Sequence, residues 1–280
     1  MPVIRTNSAE IAYREFGSGT PLLLIHGFPL DGSMWDPVAE KLAQRFRVLI
    51  PDLRGFGASP WSSSHPPQSA DDVTANKSQF AISDYADDLV DFCAALGVEH
   101  AIVCGLSMGG YVALSFALHH RDRLLGLILC DTRAAADTPE AAAARKTTAE
   151  RVFRDGTGFL AEAMLPKLYS PQQVEASSPL VERTLTLIQN ADPRGVAAAA
   201  LAMAARPNVI ARLEEITVPT LVICGEADVI SPPAEMAAWS AELPRGRFVR
   251  IADAGHMSPE EQPETFVAAV LSWAEDQELI

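Results

Sequence analysis

A serine lies at the centre of a short glycine-rich segment that could support nucleophilic catalysis. The segment reads Gly-Leu-Ser-Met-Gly-Gly over residues 105–110, and Ser107 separates an apolar run that ends at Cys104 from another that begins at Tyr111. This order is typical of a strand, a sharp turn and a helix, with the serine Oγ exposed at the turn. Small flanking residues let backbone approach backbone, and a helix N-terminus favours negative charge. The pattern predicts that Ser107 is a nucleophile.

The chain also carries a histidine and two aspartates that could activate this serine. A serine hydroxyl reacts when a base removes its proton and a carboxylate orients that base. His256 follows the last predicted strand, and Asp228 follows the strand that ends at Cys224. Asp131 ends another predicted strand and stays open as an alternative acid, with a structural anchoring role as its simpler interpretation. We expect Asp228 and His256 to act with Ser107.

The oxyanion that forms during attack on a carbonyl needs two N–H donors. The backbone N–H of Met108, which follows the serine, is one candidate. The other lies in the His-Gly-Phe-Pro loop at residues 26–29, where Phe28 is the simplest choice and a turn without a catalytic part is the alternative. The segment 52–59 reads Asp-Leu-Arg-Gly-Phe-Gly-Ala-Ser and indicates a loop held by its Asp and Arg, outside the site.

Apolar runs of strand length alternate with helical patterns along most of the chain. This alternation predicts a mostly parallel sheet with helices on both faces. A helix is expected over residues 31–46, and the Ser-, Pro- and Asp-rich stretch 61–79 is expected to be a long surface loop. The runs that we interpret as buried strands are residues 21–25, 47–50, 101–104, 124–130 and 218–224, and residues 247–251 are interpreted as a further strand.

The alternation stops after residue 132, and only Ala-rich helical patterns follow as far as residue 206. We therefore predict a core of residues 1–132 and 207–280 with an inserted helical cap, or lid, of residues 133–206. The cap holds nine Lys or Arg and eight Asp or Glu, so the acidic excess belongs to the core. Four basic residues of the cap are expected to be solvated, the alternative being contact with a substrate carboxylate: Arg133, Arg145, Lys146 and Arg206.

Composition excludes several classes of partner. A net charge of −14 opposes binding to nucleic acid or to an anionic membrane surface. The four cysteines lack metal-ligand spacing, so we expect reduced thiols, no metal and no cofactor. The N-terminus lacks the basic-then-apolar layout of a signal peptide, and no membrane-spanning segment is predicted. We expect a cytoplasmic protein with a small-molecule substrate, and the sequence does not specify its oligomeric state.

Five motifs together resemble the α/β-hydrolase superfamily over nearly the whole chain outside the cap. The resemblance implies an α/β-hydrolase fold, with an eight-stranded, mostly parallel, doubly wound sheet and an inserted helical cap. It also implies a triad of Ser107, Asp228 and His256 with Phe28 and Met108 as oxyanion donors. The motifs are His-Gly-Phe-Pro at 26–29, Asp-x-Arg-Gly-x-Gly-x-Ser at 52–59, the serine segment, Gly-Glu-Ala-Asp at 225–228 and Gly-His-Met-Ser-Pro-Glu-Glu-Gln-Pro-Glu at 255–264.

Within the superfamily, the chain resembles 3-oxoadipate enol-lactonases and related esterases. The serine segment, the Leu-Cys-Asp-Thr at 129–132 and the Glu-Gln-Pro after the histidine carry this likeness. Enol-lactonases do not usually have His-Gly-Phe-Pro in the oxyanion loop, so the resemblance does not assign a particular substrate. A serine in place of an aspartate at the turn argues against a dehalogenase.

The sequence thus predicts a serine hydrolase that cleaves a carboxylic ester or lactone through an acyl-enzyme. Two alternatives stay open on the same residues, namely perhydrolase or non-haem haloperoxidase chemistry and a hydrolase-like receptor with slow turnover. An apolar acyl or alcohol group of modest size would suit the residues that we expect to line the pocket. Those residues are Phe28, Met108, Phe153, Met164, Leu168 and Met257.

Overall fold

The computed structural model describes residues 1–6, 8–61, 69, 72 and 80–280. In this part of the chain, one sheet of eight strands runs through the molecule. Its strands are β1 (Val3–Arg5), β2 (Glu10–Gly17), β3 (Thr20–Ile25), β4 (Phe46–Pro51), β5 (Ala101–Leu106), β6 (Leu124–Cys130), β7 (Thr220–Gly225) and β8 (Gly246–Ile251).

The strand order is β1-β2-β4-β3-β5-β6-β7-β8. Strand β2 runs antiparallel to both β1 and β4, and every other neighbouring pair is parallel. The chain passes from β3 outward to β4 and then returns to the other side of β3 as β5, which opens a crevice beyond the carboxyl ends of β3 and β5. The predicted eight-stranded, mostly parallel sheet is confirmed.

Helices cover the sheet and fill the long connection between β6 and β7. Strands β5 and β7 are buried along their whole length, which explains their continuous apolar sequences. The α-helices of the described residues are α1 (Asp36–Leu42), α2 (Ile82–Ala95), α3 (Met108–His119), α4 (Pro139–Asp155), α5 (Gly158–Leu168), α6 (Pro171–Glu175), α7 (Pro179–Asn190), α8 (Pro193–Ala205), α9 (Pro233–Ser240), α10 (Ser258–Glu261) and α11 (Pro263–Asp276). Short 3₁₀ helices occupy Gly32–Trp35, Arg121–Arg123 and Ile210–Glu215.

The helix expected over residues 31–46 is shorter than predicted. A 3₁₀ turn occupies Gly32–Trp35, and α1 ends at Leu42. Phe46 already belongs to β4, where it pairs with Thr20 of β3, so the chain leaves the helix early to reach the sheet. The loop predicted over residues 61–79 lies almost entirely outside the described residues.

Residues 133–206 contain α4 to α8 and no strand, and the structure describes all of them. The division into core and cap stays a prediction. One expectation about this segment is wrong, because Arg206 is buried instead of solvated. Its guanidinium pairs with Asp137 at 2.7 Å and lies 4.0 Å from the centre of the Tyr111 ring. Among the described residues, no helix combines the length and hydropathy needed to span a bilayer.

A buried carboxyl group of α10 joins these helices to the segment that follows β8. Glu260 accepts a hydrogen bond from the Tyr169 hydroxyl, which also lies 2.7 Å from the Thr184 hydroxyl. The Arg183 guanidinium lies 3.7 Å from the same carboxyl group. Burial raises the pKa of Glu260 to about 7, while the Tyr169 hydrogen bond and the Arg183 charge act in the opposite direction. Glu260 therefore titrates near neutral pH in the folded chain.

The raised pKa makes the stability of the protein depend on pH through Glu260. From its ordinary pKa of 4.5 up to about 7, the folded state retains a proton that the unfolded state releases. The stability that this raised pKa provides is fully present below pH 4.5 and is lost as the pH rises through 7. Relative to Glu260→Gln, we expect the wild-type free energy of unfolding to fall by roughly 3 kcal/mol between pH 4.5 and 7. Urea unfolding of both proteins at several pH values measures this difference, and a constant difference contradicts the assignment.

Candidate active site

Ser107 occupies a strained backbone position between β5 and α3. Its φ and ψ are 55° and −114°, a combination that non-glycine residues rarely adopt. A Cβ at Gly105 would collide with the backbone of Gly109, and a Cβ at Gly109 would collide with the backbone of Ile25. The turn thus forms because strand and helix backbones approach more closely than any larger residue would permit.

Hydrogen bonds to neighbouring β6 hold this turn in place. The Ser107 N–H donates to the carbonyl of Cys130 at 2.9 Å, and the Thr132 hydroxyl donates to the Ser107 carbonyl at 2.7 Å. Both partners belong to the chain at the carboxyl end of β6. The serine backbone is therefore fixed while its side chain stays half-buried.

His256 and Asp228 form a buried hydrogen-bonded pair beyond the ends of β8 and β7. The distance between His256 Nδ1 and Asp228 Oδ2 is 2.8 Å, and both side chains are almost fully buried. The other carboxylate oxygen accepts the backbone N–H groups of Ile230 at 2.7 Å and Ser231 at 2.9 Å.

The Asp228 carboxyl group keeps its negative charge in spite of its burial. Burial acts to raise its pKa, but the positive form of His256 and the hydrogen bonds from His256, Ser231 and Ile230 bring the pKa below its ordinary value. An ionised carboxylate places the imidazole proton on Nδ1, which leaves Nε2 able to accept a proton. The pair can thus act as an oriented base.

Asp131 occupies a different part of the same buried region. Its carboxyl oxygens accept the backbone N–H of Gly225 at 2.7 Å and the hydroxyl of Ser258 at 2.5 Å. Burial and the nearby charge of Asp228 raise the pKa of Asp131 well above its ordinary value. Of the two candidate acids, Asp228 contacts the histidine, and Asp131 joins the end of β7 to the turn after His256.

The loop at residues 26–29 lies beside the serine turn. A Cβ on Gly27 would lie 3.4 Å from the Ser107 Cβ. Phe28 and Met108 are both buried, and neither backbone N–H donates to another of the described residues. Two N–H groups next to the serine are therefore available to an oxygen of a bound substrate.

His26 supports this loop, because both of its ring nitrogens form hydrogen bonds with backbone groups. Its Nδ1 donates to the Gly27 carbonyl at 2.9 Å, and its Nε2 accepts the Leu53 N–H at 3.0 Å. Burial lowers the pKa of His26, which fits a neutral ring with these two bonds.

Asp52 holds the loop of residues 52–59 in place. Its carboxylate accepts the N–H groups of Gly32 and Ala58. These bonds agree with the predicted architectural role of the loop.

Two of the predicted lining residues meet next to His256. The Met257 N–H donates to the Leu168 carbonyl at 3.0 Å, and both side chains are buried. Phe153 on α4 and Met164 on α5 are half-buried and pack against the main hydrophobic core. The role of all six predicted residues in binding a substrate stays a prediction.

Only one group of side chains in the described residues has the spacing of a metal site. Donor atoms of Asp131, Cys224 and Asp228 lie within 4.8 Å of one another. Burial raises the pKa of the Cys224 thiol, both oxygens of Asp131 already bond to Gly225 and Ser258, and Asp228 is already bonded to the histidine. This group does not fit a cation.

Sequence reasoning missed several polar residues of the site. Thr132 and Ser258 each bond to a residue that is distant in the chain. Glu260 and Glu261, which the motif after the histidine contains, are both buried. The only sequence signal is their position one to five residues after Asp131 or His256, and it does not reveal a partner.

Comparisons with known proteins agree with the fold described above. A family model described as alpha/beta hydrolase fold matches residues 20–263. The chain is 28% identical over 237 residues to 3-oxoadipate enol-lactonase 1 of Acinetobacter baylyi, covering 85% of this chain and 82% of that protein.

Two solved structures extend the likeness to the whole chain. A thermophilic esterase from Thermogutta terrifontis, solved with malate bound, is 44% identical with a TM-score of 0.89, covering 99% of this chain and 98% of that one. The enol-lactonase from Burkholderia xenovorans is 28% identical with a TM-score of 0.85, covering 98% and 100%.

The close backbone contact at the serine turn predicts that Gly105→Ala is strongly destabilising. The new methyl group would overlap the Gly109 backbone, and backbone cannot move aside as a side chain can. We expect a loss of about 3 kcal/mol in the free energy of unfolding. Gly158→Ala is a matched control, because nothing lies within 4 Å of its added methyl group, and its effect should stay within about 1 kcal/mol. Equal effects in urea unfolding would refute this account.

Proposed function

The chain belongs to the α/β-hydrolase family, and from this premise we propose that Ser107, His256 and Asp228 hydrolyse a carboxylic ester or lactone through an acyl-enzyme. At the level of the family, the protein is a carboxylic ester hydrolase. The likeness to enol-lactonases and esterases that the motifs predicted is confirmed. The proposed roles of the three residues and the proposed acyl-enzyme rest on the geometry of the site.

The observation that supports this mechanism best is the buried pair of His256 and Asp228. The 2.8 Å bond between Nδ1 and the carboxylate orients the ring and stabilises its protonated form. Ser107, at the end of β5, lies on the same carboxyl edge of the sheet as this pair. A strained serine turn on the same sheet edge as an oriented histidine supports acyl transfer.

Each proposed step uses one part of the site. Ser107 Oγ attacks the substrate carbonyl while His256 Nε2 takes its proton, and Asp228 stabilises the resulting imidazolium. The N–H groups of Phe28 and Met108 stabilise the oxyanion. His256 then donates its proton to the departing alkoxide, which in a lactone stays attached to the acyl group. Water, activated by the same histidine, releases the carboxylic acid and restores Ser107.

We further propose that residues 133–206 form a cap over the site and that the substrate lies between cap and sheet. The proposed lining combines core and cap side chains that are mostly apolar, which suits an acyl or alcohol group of modest size. A series of p-nitrophenyl esters with increasing acyl length, together with a set of lactones, measures the preference. The proposed lining residues are Phe28, Met108, Phe153, Met164, Leu168 and Met257.

We expect Ser107→Ala to lower kcat for a short-chain p-nitrophenyl ester by at least about 10⁴-fold, because it removes the nucleophile. An organophosphonate should label the wild type at Ser107 and should not label the variant, as peptide mass spectrometry would show. Repeated fast turnover distinguishes an enzyme from a slowly turning receptor. A reaction that needs added peroxide would instead indicate perhydrolase or haloperoxidase chemistry, and labelling at another serine would overturn the proposal.

The two buried aspartates provide a matched pair of variants. Asp228→Asn should lower kcat by about 10⁴-fold, because an amide cannot stabilise the imidazolium and can favour the wrong tautomer. Asp131→Asn keeps an oxygen for the Gly225 N–H, offers its NH₂ group to the Ser258 hydroxyl and leaves the pair of His256 and Asp228 intact, so we expect a loss below about tenfold. Circular dichroism and urea unfolding verify that both variants are folded. If Asp131→Asn shows the larger loss, the acid is Asp131.

A further inference from the structure

We propose that Glu261 is a positioning residue for this reaction, in that its carboxylate holds both the turn that carries His256 and the cap segment packed against that turn. The inference rests on the proposed role of His256 as the base. It concerns a side chain that does not contact the imidazole and acts through the backbone.

One carboxylate joins two distant parts of the chain. Glu261 Oε1 accepts the N–H of Gly255 at 2.7 Å, and Oε2 accepts the N–H of Ser170 at 2.8 Å. Gly255 directly precedes His256, and Ser170 lies between α5 and α6 of the proposed cap. Glu261 is 7% exposed, so water does not compete effectively for these bonds.

The two joined segments also contact each other directly. The Met257 N–H donates to the Leu168 carbonyl at 3.0 Å. A Cβ on Gly255 would lie 2.7 Å from the Ser170 nitrogen and 2.8 Å from the Tyr169 carbonyl carbon, so the backbones touch with no room for a side chain. A displacement of residues 168–170 therefore moves the turn at residues 255–257.

The chemistry of this position requires a carboxylate. Two buried N–H groups approach one side chain from two segments, and each needs an acceptor. Glutamate accepts at both oxygens, and bonds to a charged acceptor are stronger than bonds between neutral groups. Glutamine accepts at one oxygen only, and its NH₂ group would face the second N–H. The substitution Glu261→Gln thus leaves one of the two backbone donors unpaired.

The preceding residue provides a matched control. Glu260 is also buried, and its carboxyl group contacts Tyr169 and Arg183 of the proposed cap. Glu261 contacts the proposed cap and also Gly255 in the histidine turn. Loosening of the cap alone should affect Glu260→Gln and Glu261→Gln alike, whereas release of the histidine turn should affect only the second variant.

The test compares both variants with the wild type on a short-chain p-nitrophenyl ester. We expect Glu261→Gln to lower kcat by about 10- to 100-fold with KM changed less than about threefold, because small displacements of a catalytic group have effects of this size. Glu260→Gln should keep kcat within about threefold. Amide hydrogen exchange followed by NMR should be at least about tenfold faster at Gly255 or Ser170 in Glu261→Gln and unchanged there in Glu260→Gln.

Two kinetic results would overturn the inference. Faster exchange with an unchanged kcat would show that Glu261 only stabilises the fold, and an equal fall of kcat in both variants would show that cap attachment alone matters. Failure of the proposed function itself is recognised separately, because Ser107→Ala would then keep its activity while the exchange results still report on the Glu261 contacts.

A second variant covers the case in which Glu261→Gln does not fold. Glu261→Asp keeps the carboxylate but is one methylene shorter, so it cannot reach the Gly255 and Ser170 N–H groups together. We expect kcat to fall by about three- to tenfold with faster exchange at Gly255 or Ser170. If both quantities stay at their wild-type values, the cap segment and the histidine turn are not coupled.

Discussion

The site depends on a backbone contact that only glycine permits. Gly105 and Gly109 let the end of β5 and the start of α3 pack against each other, and this contact keeps Ser107 at a φ of 55°. Such a conformation costs about 1 to 3 kcal/mol and persists only where the surroundings impose it. Here the buried strand and helix on either side impose it, so the buried core holds a half-buried serine in this conformation.

The sheet order places further polar groups at the same edge of the sheet as this serine. Strands β5, β6, β7 and β8 are parallel neighbours, so the chain segments after them meet at one edge. Two aspartates are buried there, and their surroundings shift their pKa values in opposite directions. The histidine and two backbone N–H groups bonded to Asp228 lower its pKa, while burial and the charge of Asp228 raise the pKa of Asp131. The surroundings, more than the residue type, thus distinguish these two carboxyl groups.

The proposed cap and the histidine turn meet through backbone hydrogen bonds rather than through side-chain packing alone. Leu168 accepts a bond from Met257, and Glu261 connects Ser170 to Gly255. A catalytic base must keep its geometry while a substrate enters beneath an inserted segment. In this chain one buried carboxylate bonds both to the turn that carries the proposed base and to the proposed cap.

The sequence by itself determined the strand and helix alternation, the serine turn and the candidate histidine, because apolar period and glycine spacing are local properties of the chain. It favoured Asp228 as the acid with Asp131 as the alternative, and it predicted Arg206 to be solvated. Only the tertiary structure decided which aspartate contacts His256, placed Arg206 in a buried ion pair and brought Glu261 to two backbone N–H groups. These outcomes depend on which distant segments pack together, and no local pattern encodes the burial and hydrogen-bond partners that result.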